Sequence, residues 1–250
     1  MPMKRLYQPI LYLFIAAGLT LGACRTASYA PQQQVAYTYT AVRLPERAPN
    51  RLDTFLDAYR QGKDSVMNVV IGSTAVPLTK TQPESTMGNF MADAQLRYAK
   101  GRDAQVAASV LNYGGMRIPY LAPGPVTVGN IYEMMPFDNT LVIAEVPGST
   151  VREMCRLIAD KKGWPVAGIT FVIANDRSVK DIRIDGRDIH DNIIYKIAIS
   201  DYLANGGDDC EFFRKCKRKF YNVFIRDILI EYVQEHKNIN PVLTQRISYE

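Results

Sequence analysis

The sequence Val106-Ala-Ala-Ser-Val-Leu-Asn-Tyr-Gly-Gly-Met-Arg117 joins an apolar run to a sharply turning polar loop. The first six residues are typical of a buried β-strand, which ends abruptly at Asn112. Gly114 and Gly115 allow the backbone to turn tightly and to approach a ligand closely. An asparagine can hydrogen-bond the edge of a polar heterocycle, and Arg117 can hold an oxyanion with two hydrogen bonds. The loop therefore indicates a ligand-binding corner, although an ordinary Gly-Gly turn with a solvated arginine fits the same residues.

Helical and strand patterns alternate through residues 51–250. Apolar residues at helical spacing predict helices at 51–61, 84–97, 148–158 and 222–234, with a compact turn or helix at 128–135. Apolar or alternating runs predict strands at 66–71, 106–111, 125–128, 140–146, 169–174, 179–184 and 193–199. No long self-similar period favours a repeat architecture. We therefore predict one α+β (mixed α/β) domain at residues 51–250, with mixed sheets and flanking helices.

Short polar signals refine three of these elements. Ser149 or Thr150 is the expected N-cap of the third long helix. Asp185-Gly186 is a dipeptide typical of a tight hairpin turn. On the second helix, Asn89 and Asp93 lie four residues apart on one face. Ligand contact, a solvated surface and buried structural hydrogen bonds all fit that pair.

The N-terminus has the pattern of an exported protein. Lys4 and Arg5 precede an uncharged apolar run from Ile10 to Ala23, which is too short to span a bilayer. The run ends in Leu21-Gly-Ala-Cys24, which resembles the bacterial lipobox, where signal peptidase cuts before an acylated cysteine. A plain secretory signal is the alternative, but it does not require a cysteine at the cut. Arg25, rather than an aspartate, follows, so the sequence gives no signal for retention in the inner membrane.

These features predict three segments. Residues 1–23 are a lipoprotein signal peptide, Cys24 carries the lipid, and residues 24–50 form a flexible tether. The tether prediction rests on three consecutive glutamines, several prolines and the absence of a helical period. The expected location is the periplasmic or surface face of a bacterial membrane, with the outer membrane favoured.

The charge balance does not point to nucleic acid. The formal net charge is +5, and removal of Lys4 and Arg5 leaves 5 − 2 = +3. Much of it lies in Arg214-Lys-Cys-Lys-Arg-Lys219, which is typical of a solvated face. Attraction of an anionic substrate or of a membrane surface is the next interpretation. No nucleic-acid-binding motif accompanies the run, so we expect no nucleic-acid partner.

The four cysteines leave one pairing open. With Cys24 assigned to the lipid, Cys210 and Cys216 could form a disulfide in an oxidising compartment. Cys155 would then be a buried free thiol. Sequence alone does not decide this pairing.

Several short motifs follow one another along the chain, and each is weak when taken singly. They are Glu84-x-x-x-Gly88-Asn89 with Asp93, Asn112-x-Gly-Gly-x-Arg117, Pro136-Phe137, Ile184-Asp185-Gly186 and Tyr202-Leu-Ala-x-Gly-Gly-Asp208. In this order and spacing they resemble the C-terminal domain of the periplasmic and surface 5′-nucleotidases, the UDP-sugar hydrolase/ecto-5′-nucleotidase family. The resemblance covers about residues 51–247.

The resemblance implies a nucleotide-binding domain. By this likeness Asn112 would hydrogen-bond the base, Arg117 would bind phosphate oxygens, and Phe137 would stack on the base, although a core role also fits Phe137. The other substrate-binding residues implied are Gly114, Gly115, Asn139, Asn205, Gly206, Gly207 and Asp208.

The chain departs from the family pattern in three places. A second stacking aromatic is expected where Cys210 stands, and Phe212 or Phe213 could replace it. An arginine expected just upstream of the Glu84 motif is absent, and Lys80 is the nearest cation. An acid that would hold the ribose has no obvious counterpart. These departures predict weaker base binding or a different ligand.

Nothing in the sequence supports catalysis by this chain. The family hydrolyses its substrates with a separate two-metal domain, which needs a dense set of His, Asp and Asn ligands. The chain has two histidines, and Asp188-Ile-His190 lies in a predicted hairpin without further ligand motifs. Motifs for a nucleophilic serine or cysteine are also absent. We therefore expect no catalytic residue, metal site or cofactor in this chain, with divalent metals only in a partner.

The sequence thus predicts the nucleotide-binding half of a split 5′-nucleotidase, with a separately encoded metallophosphoesterase as partner. A lipoprotein that captures nucleotides or nucleosides without any hydrolase is one alternative. A domain that has lost its ligand and serves as an interaction module is another, for which Cys210 is the supporting feature.

Overall fold

Six helices and thirteen strands make up residues 51–250, the part of the chain that the structure, a computed structural model, describes. The helices are α1 (Arg51–Met67), α2 (Thr86–Arg102), α3 (Val128–Met134), α4 (Gly148–Asp160), α5 (Asp201–Ala204) and α6 (Ile225–His236). The first strands are β1 (Val70–Thr74), β2 (Leu78–Thr79), β3 (Val106–Val110), β4 (Tyr120–Leu121), β5 (Gly124–Thr127), β6 (Thr140–Pro147) and β7 (Val166–Ala167). The others are β8 (Ile169–Ile173), β9 (Val179–Ile184), β10 (Arg187–Asp188), β11 (Ile194–Ser200), β12 (Lys217–Phe224) and β13 (Ile247–Tyr249).

The expected signal peptide (1–23), the lipidation site Cys24 and the tether (24–50) lie outside the described residues. Among residues 51–250, no helix combines the length and the apolar character needed to cross a bilayer.

A five-stranded mixed sheet is the centre of the fold. Its strand order is β12-β6-β11-β3-β7, in which only β11 and β3 run parallel. A second sheet has the order β10-β9-β8-β13. The pairs β1-β5 and β2-β4 form two small antiparallel sheets.

Alternate residues of the central sheet bury two separate faces. Val142 and Ala144 of β6 face a core that contains α4 and the second sheet, with Met154 and Phe171 among its buried members. Ile143 faces the opposite side, where it meets buried residues of α2 and α6. Each large side chain withdrawn from water in this way contributes about 1.5–3 kcal/mol. The predicted α+β class with mixed sheets and flanking helices is therefore confirmed.

The end of α1 and the N-cap of α4 differ from the prediction. The strand predicted at 66–71 is wrong at its start, because the amide of Asn68 donates to the Asp64 carbonyl (3.1 Å) and α1 continues to Met67. The predicted caps of α4 are also wrong, since its N-cap is Pro147 and makes no side-chain cap. Instead the amide of Gly148 donates to the carbonyl of Ile193 at 2.9 Å. A carbonyl of a neighbouring loop thus accepts the hydrogen bond of an amide at the beginning of the helix, which has no partner within the helix.

The basic run was predicted to be a solvated face, and four of its five basic residues are exposed, but the run also leads into a strand that the sequence did not predict. The run continues into β12, an edge strand that pairs with β6 through residues 217–224. The last helix therefore begins at Ile225 rather than at 222. Cys155, Cys210 and Cys216 are all free thiols, so the disulfide that the sequence left open is not formed in this structure.

The polar residues of the Glu84 motif hold the C-terminal segment. Glu84 accepts hydrogen bonds from the backbone amides of Thr244 (2.9 Å) and Arg246 (3.2 Å). Asp93 receives two 2.8 Å hydrogen bonds from the Arg246 guanidinium. Asn89 donates to Glu84 and to the carbonyl of Val242. Of the interpretations left open for Asn89 and Asp93, structural hydrogen bonding is the one that the structure supports.

Candidate functional site

Three of the loops that carry the sequence motifs meet at one edge of the central sheet. Because β3 and β11 are parallel neighbours, their carboxyl ends lie at the same edge. Strand β6 is antiparallel to β11, so it begins at that edge. The loops 112–117, 136–139 and 205–208 are consequently brought together, as expected for ligand loops at the carboxyl ends of parallel strands. Asp185-Gly186 instead forms the β9–β10 turn, with positive φ at both residues.

The loops enclose a cleft of about 360 Å³. It is lined by Asn112, Gly114, Gly115, Arg117, Phe137, Asn139, Tyr202 and Asp208. All of these except Tyr202 are residues that the sequence predicted. The remaining predicted residues, Asn205, Gly206 and Gly207, line an adjacent depression that shares Asn139 and Tyr202 with the cleft. Tyr202 thus stands between the two spaces.

The carboxylate of Asp208 ties two of the loops together. One oxygen accepts a hydrogen bond from Asn112 Nδ2 (2.7 Å), and the other accepts one from the Tyr202 hydroxyl (2.8 Å). The bond to Asp208, followed by burial, raises the pKa of Tyr202, because both favour the protonated hydroxyl. Asn112 is buried, and its amide nitrogen is already bound to Asp208. Its carbonyl oxygen is the atom that can still accept a hydrogen bond from a ligand.

Glycines are required on the Asp208 side of the cleft. A Cβ built on Gly207 would lie 2.5 Å from ring atoms of Tyr202, so the ring lies directly against this residue's backbone. Gly206 has φ +90°, in the left-handed region where side chains are strained. The Gly-Gly pair therefore allows the tyrosine ring to pack against the loop, with its other atoms facing the cleft.

Two cations lie near the loop 112–117. Arg117 is exposed and makes no ion pair among the described residues, and its guanidinium carbon lies 5.5 Å from the centre of the Phe137 ring. The ammonium group of Lys80 donates to the carbonyl of Met116 (2.7 Å) and lies 4.2 Å from the centre of the Tyr113 ring. Burial, with the positive charge of Arg117 as a second cause, lowers the pKa of Lys80. The loop is thus a region of uncompensated positive charge.

Phe137 lies between the core and the cleft. It is half-buried and packs against the core formed by α2, α3 and α6. It also lines the cleft beside Arg117. One part of the ring is therefore fixed by the core while another part is available to a ligand.

Neither expected substitute for the second aromatic is available in the cleft. Cys210 is fully buried, which raises its thiol pKa to about 12. Phe213 is fully buried and Phe212 is 9% exposed, and their rings pack edge to face with their centres 4.7 Å apart. Tyr202, which is 43% exposed, is the second aromatic of the cleft. The sequence signal that could have identified it is its place in the first turn after β11, at the carboxyl end of a central strand.

The side chains of the types that bind metal ions are dispersed over residues 51–250. Among residues 51–250, no group of three or more His, Cys, Asp or Glu side chains is placed to hold a metal ion. Asp188 makes an exposed ion pair with Arg183 at 3.1 Å. His190 follows it in the loop between β10 and β11, on the protein surface.

Comparisons with known proteins show what this chain is similar to. Residues 70–215 match the family model described as "5′-nucleotidase, C-terminal domain". The chain is 29% identical over 173 residues to the trifunctional nucleotide phosphoesterase protein YfkN of Bacillus subtilis, covering 61% of this chain and 12% of that protein. It is 27% identical over 202 residues to protein UshA of Yersinia enterocolitica, covering 77% of this chain and 36% of that protein. The chain thus spans little more than a third, at most, of the length of these two relatives.

The solved structure of a 5′-nucleotidase precursor from Thermus thermophilus has a similar fold. The TM-score is 0.71 at 25% sequence identity, and the match covers 79% of this chain and 43% of that one.

Proposed function

The chain belongs to the 5′-nucleotidase C-terminal domain family, and we propose that it binds a nucleotide in the cleft formed by the loops at the shared edge of β3, β6 and β11. The observation that carries the proposal is that Arg117, which has no ion-pair partner among residues 51–250, lies beside an accessible aromatic ring, Phe137, at one wall of the cleft. The guanidinium can bind a phosphate, and the aromatic ring can stack on a planar base. The volume of about 360 Å³ is at the lower end of the range for small-molecule sites.

The cleft suggests how such a ligand would lie. Arg117 would bind the phosphate, with Lys80 contributing positive potential from behind the loop. The base would lie between Phe137 and Tyr202, and the carbonyl oxygen of Asn112 would accept a hydrogen bond from an exocyclic amine. Because Asp208 fixes both Asn112 and Tyr202, these contacts are organised before the ligand arrives, which reduces the entropic cost of binding.

Hydrolysis in this proposal is the work of a separately encoded metallophosphoesterase. Two-metal hydrolysis requires ligands that hold ions about 3.5–4 Å apart, and the described residues contain no such group. The protein would therefore supply recognition of the substrate, and the partner would supply the metals. Capture of nucleotides without any hydrolase is the second candidate, and it uses the same cleft.

The experiment is calorimetric titration of the purified protein with a nucleoside monophosphate, the matching nucleoside and inorganic phosphate. The nucleotide is expected to bind more tightly than either fragment, because only it uses both walls of the cleft. Adding an exported metallophosphoesterase then separates the two candidates, since only a split enzyme gains hydrolysis in the mixture. Absence of binding for all three ligands would favour a ligand-free interaction module.

Tyr202 provides a direct test of the base site. Replacement by alanine is expected to weaken nucleotide binding by about 1–3 kcal/mol, since a stacking surface is lost. Tyr202→Phe keeps the ring and loses only the bond to Asp208 that holds it in place, so its loss of affinity is expected to be smaller than that of Tyr202→Ala. Titration of both variants and of Tyr249→Ala, an exposed tyrosine on β13, measures the difference. Equal affinity in Tyr202→Ala and wild type would remove Tyr202 from the site.

The location is part of the proposal. The lipobox-like Leu21-Gly-Ala-Cys24 supports a lipid on Cys24 and export to the periplasmic or surface face of a bacterial membrane, favouring the outer membrane. Metabolic labelling with palmitate is expected to mark the wild-type protein and not Cys24→Ser. Unchanged labelling of the variant would place the lipid elsewhere.

A further inference from the structure

A buried arginine lies behind the loop that carries Phe137. Arg226 is the second residue of α6, and its side chain is only 9% exposed. Its guanidinium donates to the carbonyl of Phe137 (3.2 Å) and to the carboxylate of Asp138 (2.8 Å). The amide of the preceding residue, Ile225, donates to the carbonyl of Asn139 (2.9 Å). Three consecutive residues of the loop are therefore tied to the beginning of one helix.

The surroundings of Arg226 fix its orientation. Its guanidinium carbon lies 4.2 Å from the ring centre of Tyr132 on α3 and 5.7 Å from that of Phe224 on β12. Nε is buried and has no hydrogen-bond partner among the described residues. The cation thus lies near aromatic rings from two other elements, a contact that arginine makes more readily than lysine.

This arrangement is an expensive way to stabilise a fold. Burial of the Arg226 charge costs hydration free energy. The ion pair with Asp138 offsets little of that cost, because the Asp138 carboxylate is 75% exposed and screened by water. An apolar side chain of similar length would fill the same space without leaving a buried N–H unpaired. What an apolar residue could not do is donate to two groups of the loop at once. The distinctive contribution of Arg226 is therefore the conformation of the loop.

We propose that Arg226 is a positioning residue of the nucleotide site, which fixes the Phe137 ring in the orientation that receives the base. The inference rests on the proposed function. Its hydrogen bond to the Phe137 carbonyl restricts rotation of the peptide that follows the ring, and the bond to Asp138 restricts the next residue. Arg226 does not line the cleft, so it would act on the ligand only by positioning Phe137. Its removal should therefore affect recognition of the base and leave recognition of the phosphate intact.

The test compares a ligand with a base and one without it. Arg226→Met is expected to bind a nucleoside monophosphate about tenfold more weakly than wild type, within the range of stacking energies. Its affinity for ribose 5-phosphate is expected to be unchanged. Arg226→Lys, which can donate to the loop but lacks the planar fork, should recover part of the loss. In a Phe137→Ala background the Arg226→Met change should have no further effect, since the two residues act as a unit.

A general structural role predicts different results. If Arg226→Met weakened both ligands equally, or if its effect added fully to that of Phe137→Ala, the proposal would be overturned. The matched control is Arg97→Met, which removes an exposed pair with Glu235 on the surface of α2 and α6. This control should bind both ligands as the wild type does.

A second measurement keeps the inference separate from the proposed function. If the wild type bound neither ligand, the proposed function would fail, and hydrogen–deuterium exchange would still test the role of Arg226. The peptide containing residues 136–139 is expected to exchange faster in Arg226→Met than in wild type and Arg97→Met. Unchanged exchange in that peptide would show that Arg226 does not fix the loop.

Discussion

Replacement of Arg117 by alanine is expected to weaken binding of a nucleoside monophosphate by about 10- to 100-fold, with little effect on the matching nucleoside. The guanidinium is the exposed cation of the cleft and makes no ion pair among the described residues, so it is free for an anion. Hydrogen bonds to charged groups contribute about 1.5–3 kcal/mol each, which corresponds to that range of affinity. Titration of wild type and variant with both ligands gives the two ratios.

Two further measurements distinguish a phosphate contact from a general effect. Arg117→Lys keeps the charge but lacks the planar fork, so its affinity should lie between those of wild type and Arg117→Ala. The dependence of nucleotide binding on salt should be reduced in Arg117→Ala, because exposed charges are screened by ions. Arg183→Ala, which removes an exposed pair with Asp188, is the control and should change neither property. Equal affinity of Arg117→Ala and wild type for the nucleotide would exclude Arg117 from the phosphate site.

The sequence predicts two of the cleft loops because each of their motifs follows a recognisable strand. Asn112 follows a recognisable buried strand, and the motif that ends at Asp208 follows another. Their meeting depends on β3 and β11 being parallel neighbours, which no local pattern states. The family resemblance implies that the residues of these loops share one binding site, but it does not state how the strands pair. Asp185-Gly186 belongs to the same set of motifs and yet forms only a hairpin turn, because its positive-φ geometry serves β9 and β10.

The features that the sequence did not predict depend on burial. Phe212 and Phe213 follow the cleft loop and looked like replacements for a stacking aromatic, but both are buried in the core. Tyr202 is distinguished in the sequence only as part of a motif, although its side chain is more exposed than that of Phe212 or Phe213. Strand β12 was missed because its basic residues suggested a solvated face. An edge strand with one paired side accommodates such residues, and their charge discourages pairing with other chains.

Glu84, which precedes α2, and Asp93, which lies on α2, have structural roles that the sequence motif does not reveal. Their sequence pattern belongs to the motifs that resemble a nucleotide-binding family, and contact with a ligand is one of the three interpretations that the sequence leaves open for Asp93. In the structure both acids bind the segment that leads to β13. Glu84 is 9% exposed at its side chain, and its carboxylate lies 3.9 Å from Arg246, whose side chain is 14% exposed. The Arg246 guanidinium also donates to the carbonyl of Val166 at 2.8 Å.

Glu84→Ala is therefore expected to lower the free energy of unfolding by about 3–5 kcal/mol, the usual cost of removing one partner from a buried ionic network. The variant leaves the backbone amides of Thr244 and Arg246 without this acceptor and removes one of the two acceptors of the Asn89 side-chain amide. For a domain of this size, the loss corresponds to a fall in Tm of roughly 6–20 °C. Urea unfolding and a thermal melt measure the two quantities.

The matched control is Glu235→Ala, which removes an exposed ion pair with Arg97 and should cost no more than about 1 kcal/mol. A loss in Glu84→Ala as small as that of the control would contradict the structural role. Because β13 is the edge strand beside β8, release of its tether should expose residues 240–246 to proteases before the rest of the domain unfolds. Well below its Tm, Glu84→Ala should still bind the nucleotide with wild-type affinity, since Glu84 does not line the cleft. The motif on α2 would then contribute to the stability of the domain, and recognition would belong to the loops at the ends of the central strands.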